Sequence, residues 1–373
     1  MRIGIDLLWV RVGICGGTES FIRNLMEGFA EYDADNEYIL FAASDNAETF
    51  RELSRRNKRI RILKCPTESK SRIKRIAWEN TKLDDTAKAE GIDVMFIPVY
   101  SMPRVKRKNG IPYVVTIHDI QGLHYPEYFS ALRLHFLKKK WDYSTGNAKA
   151  VVTISEYVKK DLIEHYPNAK GRTIVIPDPV ILDMNDTGED NIAKFGIKPY
   201  EYFYCVSSML PHKNLATLLR TMAYRKSEKL VLSGVGGAGS PEWKKLDEMI
   251  EQLGIGDNVI ITGFVSDKER NSLYKYCRAF LFPSVFEGFG MPPVEALMAG
   301  RPVITTSFEA IREVTKDKAI YVKDSFDEKE WSQKIDSLQG NSDAEDVEAA
   351  SFPEYSIKEV AEKYIKAFAA AIK

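Results

Sequence analysis

Short apolar runs, several rich in Val, Ile and Phe, alternate along the chain with amphipathic stretches of helical spacing. Runs this short, bounded by polar and glycine-rich segments, predict buried strands. Their alternation with helical patterns predicts α/β architecture with parallel sheets. In the first half the strands fall near 2–9, 37–43, 59–64, 93–97, 112–117, 149–154 and 173–176. Helices fall near 18–31, 46–55, 70–89, 130–145 and 155–165, with Thr18 the expected N-cap of the first. A break follows at Ile176-Pro177-Asp178-Pro179-Val180, and the polar stretch 181–200 reads as a linker. The pattern then repeats, with strands near 202–207, 229–233, 258–262, 278–282, 302–306 and 319–322. Helices alternate with them near 213–225, 241–253, 267–276, 293–299 and 327–338, and an Ala-rich amphipathic segment closes the chain at 355–372. A chain of 373 residues suits two domains of Rossmann size, 1–178 and 179–354. Such a pair implies a cleft between the domains, with ligands at the carboxyl ends of the strands facing it.

Composition changes this picture little, because 44% hydrophobic and 28% charged residues are ordinary for a globular enzyme. The net charge is zero and names no partner, but its distribution is uneven. Residues 51–140 carry 21 Lys and Arg against 9 Asp and Glu, a strong basic bias on the first domain. The basic groups include Arg55-Arg56, Lys58-Arg59, Arg72-x-Lys74-Arg75, Lys106-Arg107-Lys108 and Lys138-Lys139-Lys140. They fit a solvated face, or an anionic membrane surface approached with Trp78, Phe136 and Trp141. Without interleaved aromatics or an RNA-binding signature, nucleic acid is not expected. Cys15, Cys65, Cys205 and Cys277 have neither metal-ligand nor C-x-x-C spacing and suit a reducing compartment. The N-terminal apolar run is too short for a signal core, and no stretch approaches the ~20 apolar residues of a spanning helix. The expected location is cytoplasmic, free or peripheral at the membrane.

Candidate chemistry is densest at Phe282-Pro-Ser-Val-Phe-Glu287-Gly-Phe-Gly290-Met-Pro-Pro-Val-Glu295-Ala-Leu-Met-Ala-Gly300-Arg-Pro-Val. It reads strand, loop, helix, turn, strand. Gly288 and Gly290 let backbone N–H groups approach a ligand, and Pro292 and Pro293 suit the first helical positions. Glu295 then falls in the first helical turn. Two carboxylates can accept hydrogen bonds from the hydroxyls of a sugar or ribose, while the helix start favours anionic oxygens. Taken singly, Glu287 also fits a solvated loop acid, and Glu295 an acid favoured by the helix dipole. The string E-G-F-G-x-P-x-x-E-A-x-x-x-G-x-P-V resembles the signature of retaining GT-B glycosyltransferases, above all family 4 (glycosyltransferase group 1). That resemblance implies a GT-B fold of two Rossmann-like domains facing a central cleft, with the C-terminal helix about 355–373 packing back on the first domain. It implies that Glu287 with Gly288, Phe289 and Gly290 holds the donor sugar, and that Glu295 holds the ribose.

Pro211-His212-Lys213-Asn214 follows a strand at the expected start of a helix, where an ammonium and a helix N-terminus together suit a diphosphate. A lysine there is also compatible with plain surface. The segment resembles the family's P-x-K-N/G stretch, whose Lys binds the donor phosphates. The family often has an Arg about six residues earlier; here Ser207 stands there, so His212 or backbone amides are the expected substitutes. Asn258 to Gly263-Phe264 resembles the strand and turn that pass the nucleotide base. Gly16-Gly17 forms either a simple turn or an anion-friendly loop, and resembles the loop over the donor phosphates. His118, at the end of Val115-Thr-Ile-His-Asp119, is either a capped strand-end residue or the equivalent of the family's His beside the reacting carbon. Ser155-Glu156 resembles a further strand end and is expected to be structural.

Two strings point elsewhere. Gly234-Val-Gly236-Gly-Ala-Gly239 matches a dinucleotide fingerprint, yet no acidic residue ends the next strand to hold a ribose. Asp33-x-Asp35 matches the metal motif of the other main glycosyltransferase fold but sits in a polar turn, where it is expected to be solvated. The resemblance implies a retaining hexosyltransferase that needs no metal or other cofactor, with catalysis by Glu287, His118 and Lys213. Its donor is expected to be a nucleotide diphosphate sugar, with mannose favoured. The acceptor is expected to be a glycan or polyprenyl-linked glycan of bacterial surface polysaccharide synthesis. The alternatives are a nucleotide-sugar-binding protein without transferase activity and a sugar-nucleotide epimerase.

Overall fold

The structure is a computed structural model and describes residues 1–104, 110–236, 239–340 and 348–373. The basic run Lys106-Arg107-Lys108 therefore lies outside the described residues, as do Gly237 and Ala238 of the glycine string. The chain forms two compact units, Met1–Val180 with Pro353–Lys373, and Ile181–Phe352.

In the first unit the strands are β1 (Arg2–Asp6), β2 (Glu37–Ala43), β3 (Ile60–Cys65), β4 (Val94–Ile97), β5 (Tyr113–Ile117), β6 (Ala150–Thr153) and β7 (Thr173–Val175). They pair in parallel in the order β3-β2-β1-β4-β5-β6-β7. Because side chains alternate along a strand, Ile3, Ile5 and Leu40 enter the core on one face, while Ile39, Phe41, Met95 and Ile97 enter it on the other. Burial on both faces explains why these strands read as unbroken apolar runs. The connecting helices are α1 (Gly17–Tyr32), α2 (Arg51–Arg56), α3 (Arg72–Trp78), α4 (Asp84–Ala89), α5 (Gln121–His124), α6 (Ala131–Asn147) and α7 (Glu156–His165).

Several details differ from the sequence expectation. Gly16, at φ 56°, caps α1 in place of Thr18, because only a residue without Cβ takes that backbone cheaply. The predicted helix 70–89 is broken by a π-type turn at Glu79–Leu83. Asp33 is buried rather than solvated: it accepts from the Tyr38 hydroxyl, from Asn36 Nδ2 at 2.7 Å and from the Asp35 amide at 2.9 Å. It thereby satisfies the turn from α1 into β2. Trp141 is only 2% exposed and cannot meet a bilayer; the exposed apolar side chains of α3 and α6 are Ile73 and Leu132.

The second unit has a parallel sheet in the order β10-β9-β8-β11-β12-β13. Its strands are β8 (Tyr202–Val206), β9 (Lys229–Ser233), β10 (Val259–Gly263), β11 (Ala279–Phe282), β12 (Val303–Thr306) and β13 (Ile320–Val322). Its helices are α8 (Asp190–Ala193), α9 (Leu215–Ala223), α10 (Pro241–Leu253), α11 (Asp267–Tyr276), α12 (Met291–Met298), α13 (Glu309–Thr315) and α14 (Glu328–Asp336). The stretch 181–200 is not a free linker. Ser272 Oγ accepts from the Gly188 amide at 3.2 Å and from Asn191 Nδ2 at 3.0 Å, and Asn271 Nδ2 donates to the Asp183 carbonyl at 2.9 Å.

The last helix, α15 (Ile357–Ile372), belongs to the first unit. Its Tyr364 and Phe368 pack against Phe96, and the Tyr364 hydroxyl pairs with Thr116 Oγ1 at 3.0 Å. Gly28 makes the close approach of α1 and α15 possible, since a Cβ there would lie 2.5 Å from the Ile357 carbonyl oxygen. Among the described residues no helix is long and apolar enough to cross a membrane.

Candidate functional site

In the second unit the carboxyl ends of three adjacent strands are tied side by side. The Ser207 amide donates to the Ser233 carbonyl at 3.0 Å, and the Gly234 amide to the Gly263 carbonyl at 3.0 Å. Gly234 has φ 80°, and a Cβ there would stand 2.9 Å from the Ser207 carbonyl oxygen. The first glycine of the dinucleotide-like string is thus required by a close backbone approach. Ser207 is itself buried, with its hydroxyl turned to the Ser208 carbonyl at 3.2 Å. Gly263 ends β10 at φ 69°, and Phe264 beyond it is 65% exposed, presenting a large apolar ring at the strand end.

After β8 the chain makes a tight 3₁₀ turn, Pro211–Lys213, and Asn214 takes a left-handed conformation before α9. Lys213 therefore precedes the helix rather than starting it. The turn is fastened to the loop after β11: the His212 carbonyl accepts from the Val285 amide at 2.8 Å and from Ser284 Oγ at 3.2 Å. Thr306 Oγ1 in turn donates to the Ser284 carbonyl at 2.6 Å. These bonds bring Lys213 Nζ to 2.5 Å from Glu287 Oε1, and the ammonium also lies 5.6 Å from the centre of the Phe282 ring. Both side chains are largely shielded from solvent. Burial, reinforced by the Lys213 charge, pushes His212 down to about 4 and leaves it neutral, although Glu287 acts in the opposite direction. A neutral imidazole is a poor substitute for the absent arginine. Phe289 is buried, and Gly290, at φ 93°, caps α12 where a Cβ would come within 2.8 Å of Ile311 Cδ1.

Glu295 departs from the expected placement. Helix α12 begins at Met291, so Pro292 and Pro293 are its second and third residues and Glu295 lies in its second turn. Its carboxylate is buried and accepts from the Tyr274 hydroxyl at 2.7 Å. Burial raises its pKa, opposed by the Arg270 guanidinium and the Tyr274 hydrogen bond. The structure thus joins Lys213 to Glu287 and gives Glu295 a different protein partner. Tyr274 and Arg270 were missed because nothing local links them to Glu295; their position on α11 decides it.

In the first unit, Gly16 lies open, with nothing within 4 Å of a would-be Cβ, and Gly17 opens α1. Glu19 fastens the loop before them, accepting from the Gly13 amide at 2.9 Å and from Arg23 Nε at 2.9 Å. His118, just past β5, has Nε2 3.0 Å from the Pro98 carbonyl. A carbonyl only accepts, so Nε2 carries the proton and Nδ1 faces Asp178 Oδ1, 3.9 Å away. The Phe21 ring meets the imidazole edge-on at 4.7 Å. Burial pushes His118 down to about 4 and Asp178 up to about 8, so both are uncharged at neutral pH. A His whose proton is engaged by a backbone carbonyl suits positioning better than proton transfer. Ser155 caps α7 by accepting from the Val158 amide at 3.2 Å, a structural task.

Comparison with known proteins bears on both units. The family model for Glycosyltransferase Family 4 matches residues 15–183, and that for Glycosyl transferases group 1 matches residues 188–355. Among curated relatives, the O-antigen chain mannosyltransferase RfbU of Salmonella typhimurium is 30% identical over 233 residues, 62% of each chain. The O-antigen chain mannosyltransferase B of Escherichia coli is 28% identical over 220 residues, 56% of each. The chain thus spans about 60% of the length of these relatives. Among solved structures, HepE from Anabaena in complex with UDP-glucose superposes with a TM-score of 0.73 at 18% identity, covering 99% of both chains. The sucrose-phosphate synthase from Thermosynechococcus elongatus gives 0.73 at 16%, covering 100% of this chain and 96% of its own. At such identities these two structures speak for the fold, while the family models cover nearly the whole sequence: the chain belongs to the group 1 glycosyltransferases and has the GT-B fold.

Proposed function

We propose that the protein transfers a hexose from a nucleotide diphosphate sugar to a glycan or lipid-linked acceptor in polysaccharide synthesis, with retention of anomeric configuration. The carrying observation is the contact of Lys213 with Glu287 beside the Gly288–Gly290 turn. A cation beside a carboxylate at the carboxyl ends of the strands supports the reading of a diphosphosugar site there. The names of the mannosyltransferase relatives support mannose as the sugar, and the neighbour solved with UDP-glucose supports a nucleotide-sugar donor.

In this reading Lys213 stabilises the charge growing on the leaving diphosphate, Glu287 holds sugar hydroxyls and Glu295 the ribose. The acceptor oxygen bonds to the anomeric carbon as the carbon–phosphate oxygen bond breaks, and the acceptor proton passes to that phosphate oxygen on the same face. His118 orients the reacting end. No metal is proposed; in this reading Lys213 supplies the positive charge facing the diphosphate.

The test is a thermal-shift panel of nucleotide sugars, since a bound donor stabilises by mass action. It is followed by NMR assignment of the product anomer made with the best donor. A donor-dependent shift and a retained anomer are expected. An inverted product would reject the mechanism, and a donor shift without product would favour a binding protein.

A further inference from the structure

The basic bias of the first unit is not evenly neutralised. Arg51, Arg55, Arg56, Arg61, Lys74 and Arg75 each have an acidic partner. Among the described residues Arg72, Arg104, Arg133 and Lys140 have no ion pair, and neither have Lys58, Arg59, Lys64, Lys70, Lys82, Lys138 and Lys139. What sets Arg72 and Lys140 apart is a shared aromatic neighbour, while Arg133, on the same helix as Lys140, lies 5.0 Å from the centre of the Phe129 ring. The Arg72 guanidinium lies 4.6 Å from the centre of the Phe136 ring, and Lys140 Nζ lies 5.9 Å from the same centre. Burial raises Tyr100, while Arg72, Arg133 and Arg75 together pull it down. Lys140 is lowered by burial and again by Arg104, Arg75 and Arg72, though Glu79 opposes this. Arg72 and Arg133 are exposed and Lys140 is half-buried; like charges brought this close repel one another, and a bound anion relieves that repulsion.

Two buried acids lie near Arg75: Glu79 on the π-type turn, 3.5 Å from its Nε, and Asp6 at the end of β1. Burial and the neighbouring Asp6 push the Glu79 pKa up, while Arg75 and Lys140 pull it down, so a single buried carboxyl faces several cations. Asp119 acts on Tyr100 from the β5 side. The position in the sheet matters as much as the charge. Chain order reverses between β1 and β4, and Tyr100 lies three residues past the end of β4. Ligands of open parallel sheets bind beyond the carboxyl ends at such a reversal.

We propose that Arg72, Arg133 and Lys140, with Arg75 behind them, bind a phosphate or pyrophosphate group carried by the acceptor. This rests on the transfer reading above and names the chemistry of the acceptor side. Arginine forks match phosphate oxygens in pairs, and Lys140, held by the Met102 carbonyl at 3.1 Å, adds a point charge. The exposed apolar side chains Ile73 and Leu132 beside the cluster suit a carrier whose phosphate is attached to a hydrocarbon.

The experiment is calorimetric titration of the full chain with inorganic pyrophosphate while saturating guanosine diphosphate occupies the Lys213 site. One further site is expected. It should weaken at least tenfold in Arg72→Ala/Lys140→Met and persist in Lys213→Ala. Arg72→Gln, a change at an exposed position, gives the same direction without disturbing the half-buried Lys140. With a phosphorylated acceptor, KM for the acceptor rises at least tenfold and KM for the donor stays constant. Unchanged pyrophosphate binding in the double variant overturns the proposal. So does binding only to phosphatidylglycerol vesicles and not to pyrophosphate, which would make the cluster a bilayer contact. If the transfer reading alone fails, guanosine diphosphate does not bind, yet pyrophosphate still titrates with dependence on Arg72.

Discussion

Lys213 Nζ stands 2.5 Å from Glu287 Oε1, although 74 positions separate the two residues. The pair exists because the His212 carbonyl is bonded to Val285 and Ser284, which fixes one loop against the other. The two partners therefore differ in their expected effects. Lys213→Ala removes the charge facing a diphosphate and should abolish the thermal shift produced by a nucleoside diphosphate. Glu287→Gln keeps that shift but lowers transfer by about 10²–10³, the usual scale for losing one well-placed polar group. Wild-type turnover of Glu287→Gln would remove this residue from the sugar site.

The Glu295 carboxylate accepts a hydrogen bond from the Tyr274 hydroxyl at 2.7 Å. Tyr274→Phe leaves a buried carboxylate less satisfied, at a cost of roughly 1–3 kcal/mol. The lost hydrogen bond favoured the charged form, so the Glu295 pKa rises further. Nucleotide affinity measured against pH should therefore begin to fall at a higher pH in Tyr274→Phe than in the native protein. Superimposable profiles would show that Glu295 does not contact the nucleotide as a carboxylate.

The Gly28 contact gives a prediction confined to folding. A Cβ at that position would lie 2.5 Å from the Ile357 carbonyl oxygen, and backbone cannot swing aside as a side chain can. Gly28→Ala should force α1 and α15 apart and destabilise the first unit by about 1–3 kcal/mol. The readout is the denaturation midpoint, with nucleotide binding at the second unit unchanged.

The strands were legible because burial on both faces leaves continuous apolar runs, as at Tyr202–Val206 and Val303–Thr306. Helices with a wide apolar stripe were legible too, α10 being recovered residue for residue as 241–253. The short α13 was missed, since seven residues carry too little period to stand out. Cap positions shifted where backbone rather than side chain decides: Gly16 displaced Thr18, and the left-handed Asn214 moved the start of α9 past Lys213. At the candidate site the motif itself singled out Lys213, Glu287 and Glu295, but not their partners. Tyr274 meets Glu295 across 21 positions, and Asp178 faces His118 across sixty; such pairs arise only when strands are placed in order. Asp33 misled because its sequence neighbours are polar, whereas its carboxylate turns inward to Tyr38 and Asn36.

Asp178 and His118 make opposite contributions to stability against pH, and the signs can be separated. Asp178 has its pKa raised from 3.8 to about 8, so the folded state holds a proton that the unfolded state has lost between those values. Its contribution is fully present below pH 3.8 and is lost as pH rises through 8. His118 is lowered from 6.5 to about 4, so the unfolded state binds the extra proton between those values and stability falls as pH drops through that window. Between about 4 and 6.5 the two slopes offset each other; between 6.5 and 8 only Asp178 acts. Asp178→Asn should therefore melt like the native protein near pH 4 and increasingly higher than it as pH rises to 8, with the difference levelling off above. His118→Asn should instead gain on the native protein only below pH 6.5. A constant difference between Asp178→Asn and the native protein across this range would mean that the buried carboxyl at position 178 does not take up a proton on folding.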